Sequence, residues 1–292
     1  MNALIINPER NNWPKLLERP VFDTVALETT VAGILEDVKL NGDEAVMRYN
    51  EKFDGASINN LQVTEEEIRE AVDLVADDLK EAIKTAMANI RTFHESQQES
   101  VVETTTMPGV VCWRKAVAIE KVGLYIPGGT APLFSTLLML GIPAQIAGCS
   151  EIIICTPPDK NGKINPVILF VAHLLGLKNV FKAGGVQAIA AMAYGTASVP
   201  EVYKIFGPGN QYVTCAKQLI NRQGTAIDMP AGPSEVAVYA DETADPAYVA
   251  ADLLSQAEHG ADSQVLLVCN SEQLVSKINQ EIQLQLTALP RK

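Results

Sequence analysis

VGLYI (122–126), EIIIC (151–155), NVFKA (179–183) and VYKIF (202–206) are short β-rich runs, and between them stand LFSTLLMLGIPAQIAG (133–148), PVILFVAHLLG (166–176) and VQAIAAMAYG (186–195), with QYVTCAKQLI (211–220) after the last. Strand-sized apolar runs alternating with helix-sized ones imply a parallel sheet. Several of these strands are apolar at nearly every position, as required when helices cover both faces. This Rossmann-like unit closes near Gly224.

Working outward, SEVAVYAD (234–241) and SQVLLVCN (263–270) flank a helical run from Pro246 to Glu258, and SEQLVSKINQEIQLQL (271–286) follows. They read as the start of a second doubly wound α/β domain, incomplete as given, because such a sheet needs more strands to bury its faces. On the N-terminal side, Thr64-Glu65-Glu66-Glu67 is a capping-box signature opening one long amphipathic helix to about residue 93, with more helix around 31–49. The expected organisation is a helical region, 1–121, packing on the second α/β domain; a Rossmann-like domain, 122–229; and the beginning of the second α/β domain, 230–292.

With 292 residues, 47% hydrophobic and 20% charged, the chain has the composition of a folded globular protein. Its net charge of -12 opposes attraction to nucleic acid or anionic lipid. No apolar run approaches the ~20 residues that span a bilayer, and the N-terminus lacks a basic region followed by an apolar core, so a cytoplasmic address is expected. The five cysteines, Cys112, Cys149, Cys155, Cys215 and Cys269, include no CxxC pair and read as buried, reduced thiols. Cys149 stands at an apolar helix-to-strand junction beside Glu151, a poor setting for a nucleophilic thiolate, and Cys112 has no better claim.

Four glycine-rich turns, IPGGTAP (126–132), AGGVQ (183–187), FGPGN (206–210) and MPAGPSE (229–235), lie at strand ends. None matches GxGxxG, and each alone reads as a cap or tight turn. Together, with Gln187 and Asn210 where helices start, they favour a nucleotide or small polar ligand at the strands' carboxyl ends. Gln256 and His259, three apart at a helix end, share a helical face as an oxygen and an imidazole ligand would, although a polar helix end before Gly260 also caps itself. His94 and His173 read as structural.

In order, VGLYIPGGTAPLFSTLLMLGIPAQIAGC (122–149), AGGVQAIAAMAYGT (183–196), KIFGPGNQYVTCAK (204–217), IDMPAGPSEV (227–236) and ADLLSQAEHGADSQ (251–264) closely resemble the signature blocks of histidinol dehydrogenase. The resemblance implies oxidation of L-histidinol to L-histidine through an aldehyde, with two NAD reduced in successive hydride transfers, one Zn2+ per subunit, and a homodimer. It carries the zinc-ligand and substrate roles to Gln256 and His259, substrate contact to Ser234, and the NAD side to Tyr125, Gln187 and Asn210. The family's Glu-His proton-handling pair and its other Asp and His zinc ligands correspond to positions beyond 292, so the resemblance places no catalytic residue in this chain. Weak zinc binding and no turnover are expected of these 292 residues alone. Competing readings are a relative acting on another polar alcohol, such as a sulfonated diol, and a nucleotide-binding pseudoenzyme.

Overall fold

The computed structural model describes residues 4–18, 24–128, 133–230, 234–258 and 263–289. In chain order, the N-terminal part forms α1 (Trp13–Leu16), α2 (Thr24–Tyr49), α3 (Glu65–Leu74), α4 (Asp77–Glu95) and the antiparallel hairpin β1 (Glu103–Met107) and β2 (Val110–Trp113). Then come β3 (Lys121–Tyr125), α5 (Phe134–Ala147), β4 (Glu151–Thr156), α6 (Pro166–Leu174), β5 (Val180–Lys182), α7 (Gly185–Tyr194), β6 (Lys204–Phe206), α8 (Gln211–Asn221) and β7 (Ala226–Ile227). The chain goes on through β8 (Glu235–Ala240), α9 (Pro246–Ala257), β9 (Gln264–Cys269) and α10 (Glu272–Leu286).

The first sheet is parallel throughout, in the order β5-β4-β3-β6-β7. Numbered within the sheet, that is 3-2-1-4-5, with the order reversing between β3 and β6. Alternate residues of one strand feed two cores. Ile153 and Cys155 of β4 join Tyr125, Phe181 and Ile205 under α2, α7 and α8, while Ile152 and Ile154 join Val122, Leu124 and Val180 under α3, α4, α5 and α6. This is why β4 is apolar at consecutive positions.

Helices α2, α3 and α4 belong to this unit, which spans 24–230. Within it α2 packs on α7 and α8, α3 on α6, and α4 on α5, so these helices cover the helices of the first sheet. Residues 61–63 also close the edge of that sheet. Val63 N–H donates to Val180 O at 2.9 Å and Lys182 N–H to Leu61 O at 2.7 Å, which leaves β5 less of a free edge.

The long helix expected from residue 64 is two helices. The capping box is present, with Thr64 Oγ1 accepting from Glu67 N–H at 3.2 Å and Glu67 Oε2 accepting from Thr64 N–H at 2.9 Å. Val75 and Ala76 are then extended, with ψ of 131° and 144°. Val75 turns into the core, 5% exposed, and Asp77-Asp78 restart a helix where acidic residues suit the positive end of its dipole.

The other unit, 1–23 with 231–292, contains β8 and β9 as a parallel pair with α9 and α10 packed on them. Val236, Val238 and Ala240 meet Val249, Leu253, Leu274 and Ile278, whereas Tyr239 on the opposite face is exposed. Among the described residues no helix is long and apolar enough to cross a membrane.

Candidate active site

At the carboxyl ends of β3 and β6, where the strand order reverses, the chain makes two of its glycine turns. Tyr125, the last residue of β3, joins them. Its backbone carbonyl lies so close to Gly207 that a Cβ there would stand 2.2 Å from the oxygen, and Gly207 has φ +133°, so this position excludes side chains on both grounds. On the other side, Tyr125 Oη accepts from Gly185 N–H at 3.1 Å. The ring is buried, and loss of solvation pushes the phenol up to about 12.

Gln187 lies in the first turn of α7, 1% exposed. Its Nε2 donates to Asn50 Oδ1 at 3.3 Å, and Asn50 Nδ2 in turn donates to Lys182 O at 2.7 Å. Gln187 Oε1 has no partner. Asn210 is the N-cap of α8, its Oδ1 accepting from Tyr212 N–H and Val213 N–H, both at 3.1 Å. The structure thus groups Tyr125 and Gln187 at the start of α7, and it commits the oxygen of Asn210 to capping while the residue as a whole stays exposed. By contrast, Leu133 gives α5 no side-chain cap.

The FGPGN turn is clamped from behind. Lys217, 5% exposed, donates from Nζ to Gly207 O at 2.8 Å and pairs with Asp228 Oδ1, while Asp228 Oδ2 accepts from Gly207 N–H at 2.8 Å. Both polar backbone groups of Gly207 are therefore held by a charge-assisted ring. On the neighbouring strands a single proline is gripped by two glycines. A Cβ on Gly128 would stand 2.3 Å from Pro157 Cγ, and one on Gly184 would stand 2.6 Å from Pro157 Cβ. These glycines are required by packing, as each turn taken alone suggests.

Beside Pro157 a crevice of about 440 Å³ runs between α3, the turn after β3 and the turn after β4; Asp54, Glu67, Glu70, Gly128, Thr156 and Lys163 line it. Asp54, at the end of a π-helical turn after α2, is pushed up to about 6 by burial. Burial works against ionisation of Glu67 too, but Lys182 and Thr64 hold its carboxyl below the ordinary value. Sequence reasoning missed Asp54 and Thr156; Asp54 precedes Gly55 and reads there as part of a surface turn.

In the second unit, Ser234 stands exposed just before β8, and Gln256 Nε2 donates to Ser263 Oγ at 3.3 Å just before β9. Because β8 and β9 are parallel with Glu235 opposite Gln264, these residues gather at the amino edge of the pair. His259 lies outside the described residues, and no group of three His, Cys, Asp or Glu suited to a metal occurs among those described. His94 bonds Gln97 Oε1 through Nδ1 at 2.8 Å, and His173 is exposed on the last turn of α6. The thiols depart in part from expectation: Cys155 and Cys215 are buried, Cys149 and Cys269 half-buried, and Cys112 is exposed on the β1–β2 hairpin. Burial raises Cys149, Cys155 and Cys215, which disfavours a thiolate at each.

The family model described as histidinol dehydrogenase matches residues 17–292. The chain is 60% identical over 292 residues to the histidinol dehydrogenase of Bacteroides thetaiotaomicron, covering 100% of this chain and 68% of that protein. It is 61% identical over 289 residues to that of Bacteroides fragilis, with 99% and 68% covered. The crystal structure of histidinol dehydrogenase from Elizabethkingia anophelis superposes with a TM-score of 0.91 at 54% identity, over 98% of this chain and 66% of that one. A match of this extent, running through both units and every turn described above, establishes that the chain belongs to the histidinol dehydrogenase family of oxidoreductases.

Proposed function

We propose that this chain supplies the NAD side and part of the zinc and substrate side of an enzyme that oxidises L-histidinol to L-histidine by way of L-histidinal, the last step of histidine biosynthesis. The observation that carries the reading is the reversal of strand order between β3 and β6, with glycine turns at both carboxyl ends, in a chain of this family. NAD would supply the hydride acceptor for each of the two oxidations. The residues of this chain suit a dinucleotide: Gln187 Oε1 is buried without a partner, and α5 starts without a side-chain cap, leaving backbone N–H groups for a pyrophosphate. Tyr125, Gln187 and Asn210 are the residues proposed to line that side. The Lys217–Asp228 clamp fixes the turn bearing Asn210, so that orientation is set before the cofactor arrives.

On the substrate side, Ser234, Gln256 and His259 are assigned by resemblance to the family. Among the described residues Gln256 alone of the assigned zinc ligands has a place, and it offers one amide oxygen. A homodimer is part of the same proposal, checked by light scattering.

The test is NADH formation from L-histidinol, before and after chelation and with zinc restored. It compares this chain alone with this chain continued through the third of the sequence that its relatives carry in addition. Zinc-dependent NADH, two per histidinol, from the longer form supports the reading. A longer form that leaves L-histidinol untouched but oxidises a sulfonated diol overturns the substrate.

A further inference from the structure

Gln187 enters α7 with its amide held at one end only. Nε2 donates to Asn50 Oδ1 at 3.3 Å, whereas Oε1 is buried with no hydrogen-bond partner, and the residue is 1% exposed. A Cβ on Gly185, the residue that opens α7, would stand 3.1 Å from that oxygen, so the unmet acceptor lies beside the residue whose N–H donates to Tyr125 Oη. Buried polar atoms in native proteins are nearly always satisfied, and an acceptor left open here asks for an N–H or O–H brought by a ligand.

Which end of an amide faces which neighbour is decided by its partners. Asn50 is 0% exposed and opens the π-helical turn Asn50–Asp54, a rare geometry that recurs at functional positions. Its Nδ2 donates to Lys182 O at 2.7 Å. A backbone carbonyl only accepts, so Asn50 cannot reverse without setting two oxygens against each other. Its Oδ1 is thereby turned to Gln187, which must answer with Nε2, and Oε1 is left on the other side. The carbonyl that starts this relay is itself held in place: Lys182 ends β5, donates from N–H to Leu61 O at 2.7 Å and pairs through Nζ with Glu67 at 2.5 Å.

Resting on the NAD reading above, we infer that Asn50 is a positioning residue for the cofactor: acting through Gln187, it fixes a hydrogen-bond acceptor at the start of α7, so that this point takes an N–H or O–H of the dinucleotide and turns away an acceptor. Asn50 itself touches no ligand. Without it the Gln187 amide could present either end, and binding would have to order the side chain as well as bond it.

The test is a double-mutant cycle on NADH binding, followed by nucleotide fluorescence, with circular dichroism to confirm folding; it uses the wild-type protein, Asn50→Leu, Gln187→Leu and the two together. Gln187→Leu should weaken NADH by about 10-fold, and Asn50→Leu by about 3- to 10-fold, the range for one uncharged hydrogen bond. In the Gln187→Leu background Asn50→Leu should change binding by less than about 2-fold, because the group it positions is gone; a general disturbance of the fold would persist there. Should Asn50→Leu fail to fold, nitrogen-edited NMR of the wild type reads the relay directly, with the Gln187 Nε2 protons expected against Asn50. Unchanged NADH affinity in Asn50→Leu, losses that multiply in the double variant, or Nε2 protons directed away from Asn50 would overturn the positioning role alone. A wild type that binds no NADH would overturn the NAD reading, and this inference with it.

Discussion

In the ligand-free protein, Asp54→Asn should stabilise the fold at neutral pH relative to mildly acidic pH. Burial raises the Asp54 carboxyl from an ordinary 3.8 to about 6. The sign follows from which state holds the proton. Below the unfolded value both states are protonated and burial exacts nothing; between the two values the unfolded chain ionises while the folded one does not; above about 6 the folded protein carries an ion that its site solvates poorly. Wild-type stability from this group is therefore present at low pH and lost as pH rises through that window. At about 1.4 kcal/mol per pH unit the gap sets a ceiling of roughly 3 kcal/mol. Asp54 is only half-buried, and water screens it, which brings the working figure to about 1–2 kcal/mol. Asparagine does not titrate, so any change in shape or packing enters equally at both pH values and cancels in the difference. The assay is urea unfolding of wild type and variant near pH 4 and near pH 7.5. With a urea slope of about 2 kcal/mol/M, the gap between the two midpoints should move by about 0.5–1 M in the variant's favour on going to the higher pH. A gap that stays the same at both pH values would refute the argument that burial disfavours the ionised Asp54.

Other outcomes follow from the same contacts. Asp228→Asn, which leaves the buried Lys217 without its counter-ion, should cost about 3–5 kcal/mol in urea unfolding, whereas Lys217→Met, which removes the buried charge, should cost distinctly less; equal losses would contradict the clamp. Gly207→Ala should fail to accumulate as folded protein, because the added Cβ would stand 2.2 Å from Tyr125 O, and soluble expression with native circular dichroism reads this directly. Thr64→Ala should lower stability by about 1 kcal/mol through the capping box, with no change in nucleotide binding.

Much of the first sheet was legible because strands covered on both faces are apolar at nearly every position, and three of the four runs lead into glycine turns; β3 to β6 appear where those runs stand. What escaped had weaker physical signatures. Strand β7 is two residues, too short for any pattern, and the β1–β2 hairpin is exposed along its length, so burial leaves no alternation in ETTTM and VVCW, although Pro108-Gly109 between them marks the turn. The break at Val75 and Ala76 was hidden because α3 and α4 both face the helices of the same sheet, which carries the apolar spacing across the interruption. Amphipathic faces announced that the N-terminal helices pack on something without naming it. Tyr125, Gln187 and Asn210 are assigned to the proposed site by resemblance, which does not tell that Asn210 caps α8 or that Gln187 reaches Asn50, a contact across 137 residues. Asp54 and Thr156 depend on such long-range meetings entirely.

Pro157, held between Gly128 and Gly184, makes the histories of three positions interdependent. An alanine at 128 collides with Cγ of the ring, an atom that Pro157→Ala removes, so the second change should rescue the first. An alanine at 184 collides with Cβ, which Pro157→Ala keeps, and nothing short of glycine at 157 clears the way. Two substitutions that look alike on paper therefore differ in reversibility. Drift in this turn can pass through 128 after the proline is lost, but stays barred at 184, so a lineage that has given up Pro157 should show side chains at the first glycine position and none at the second.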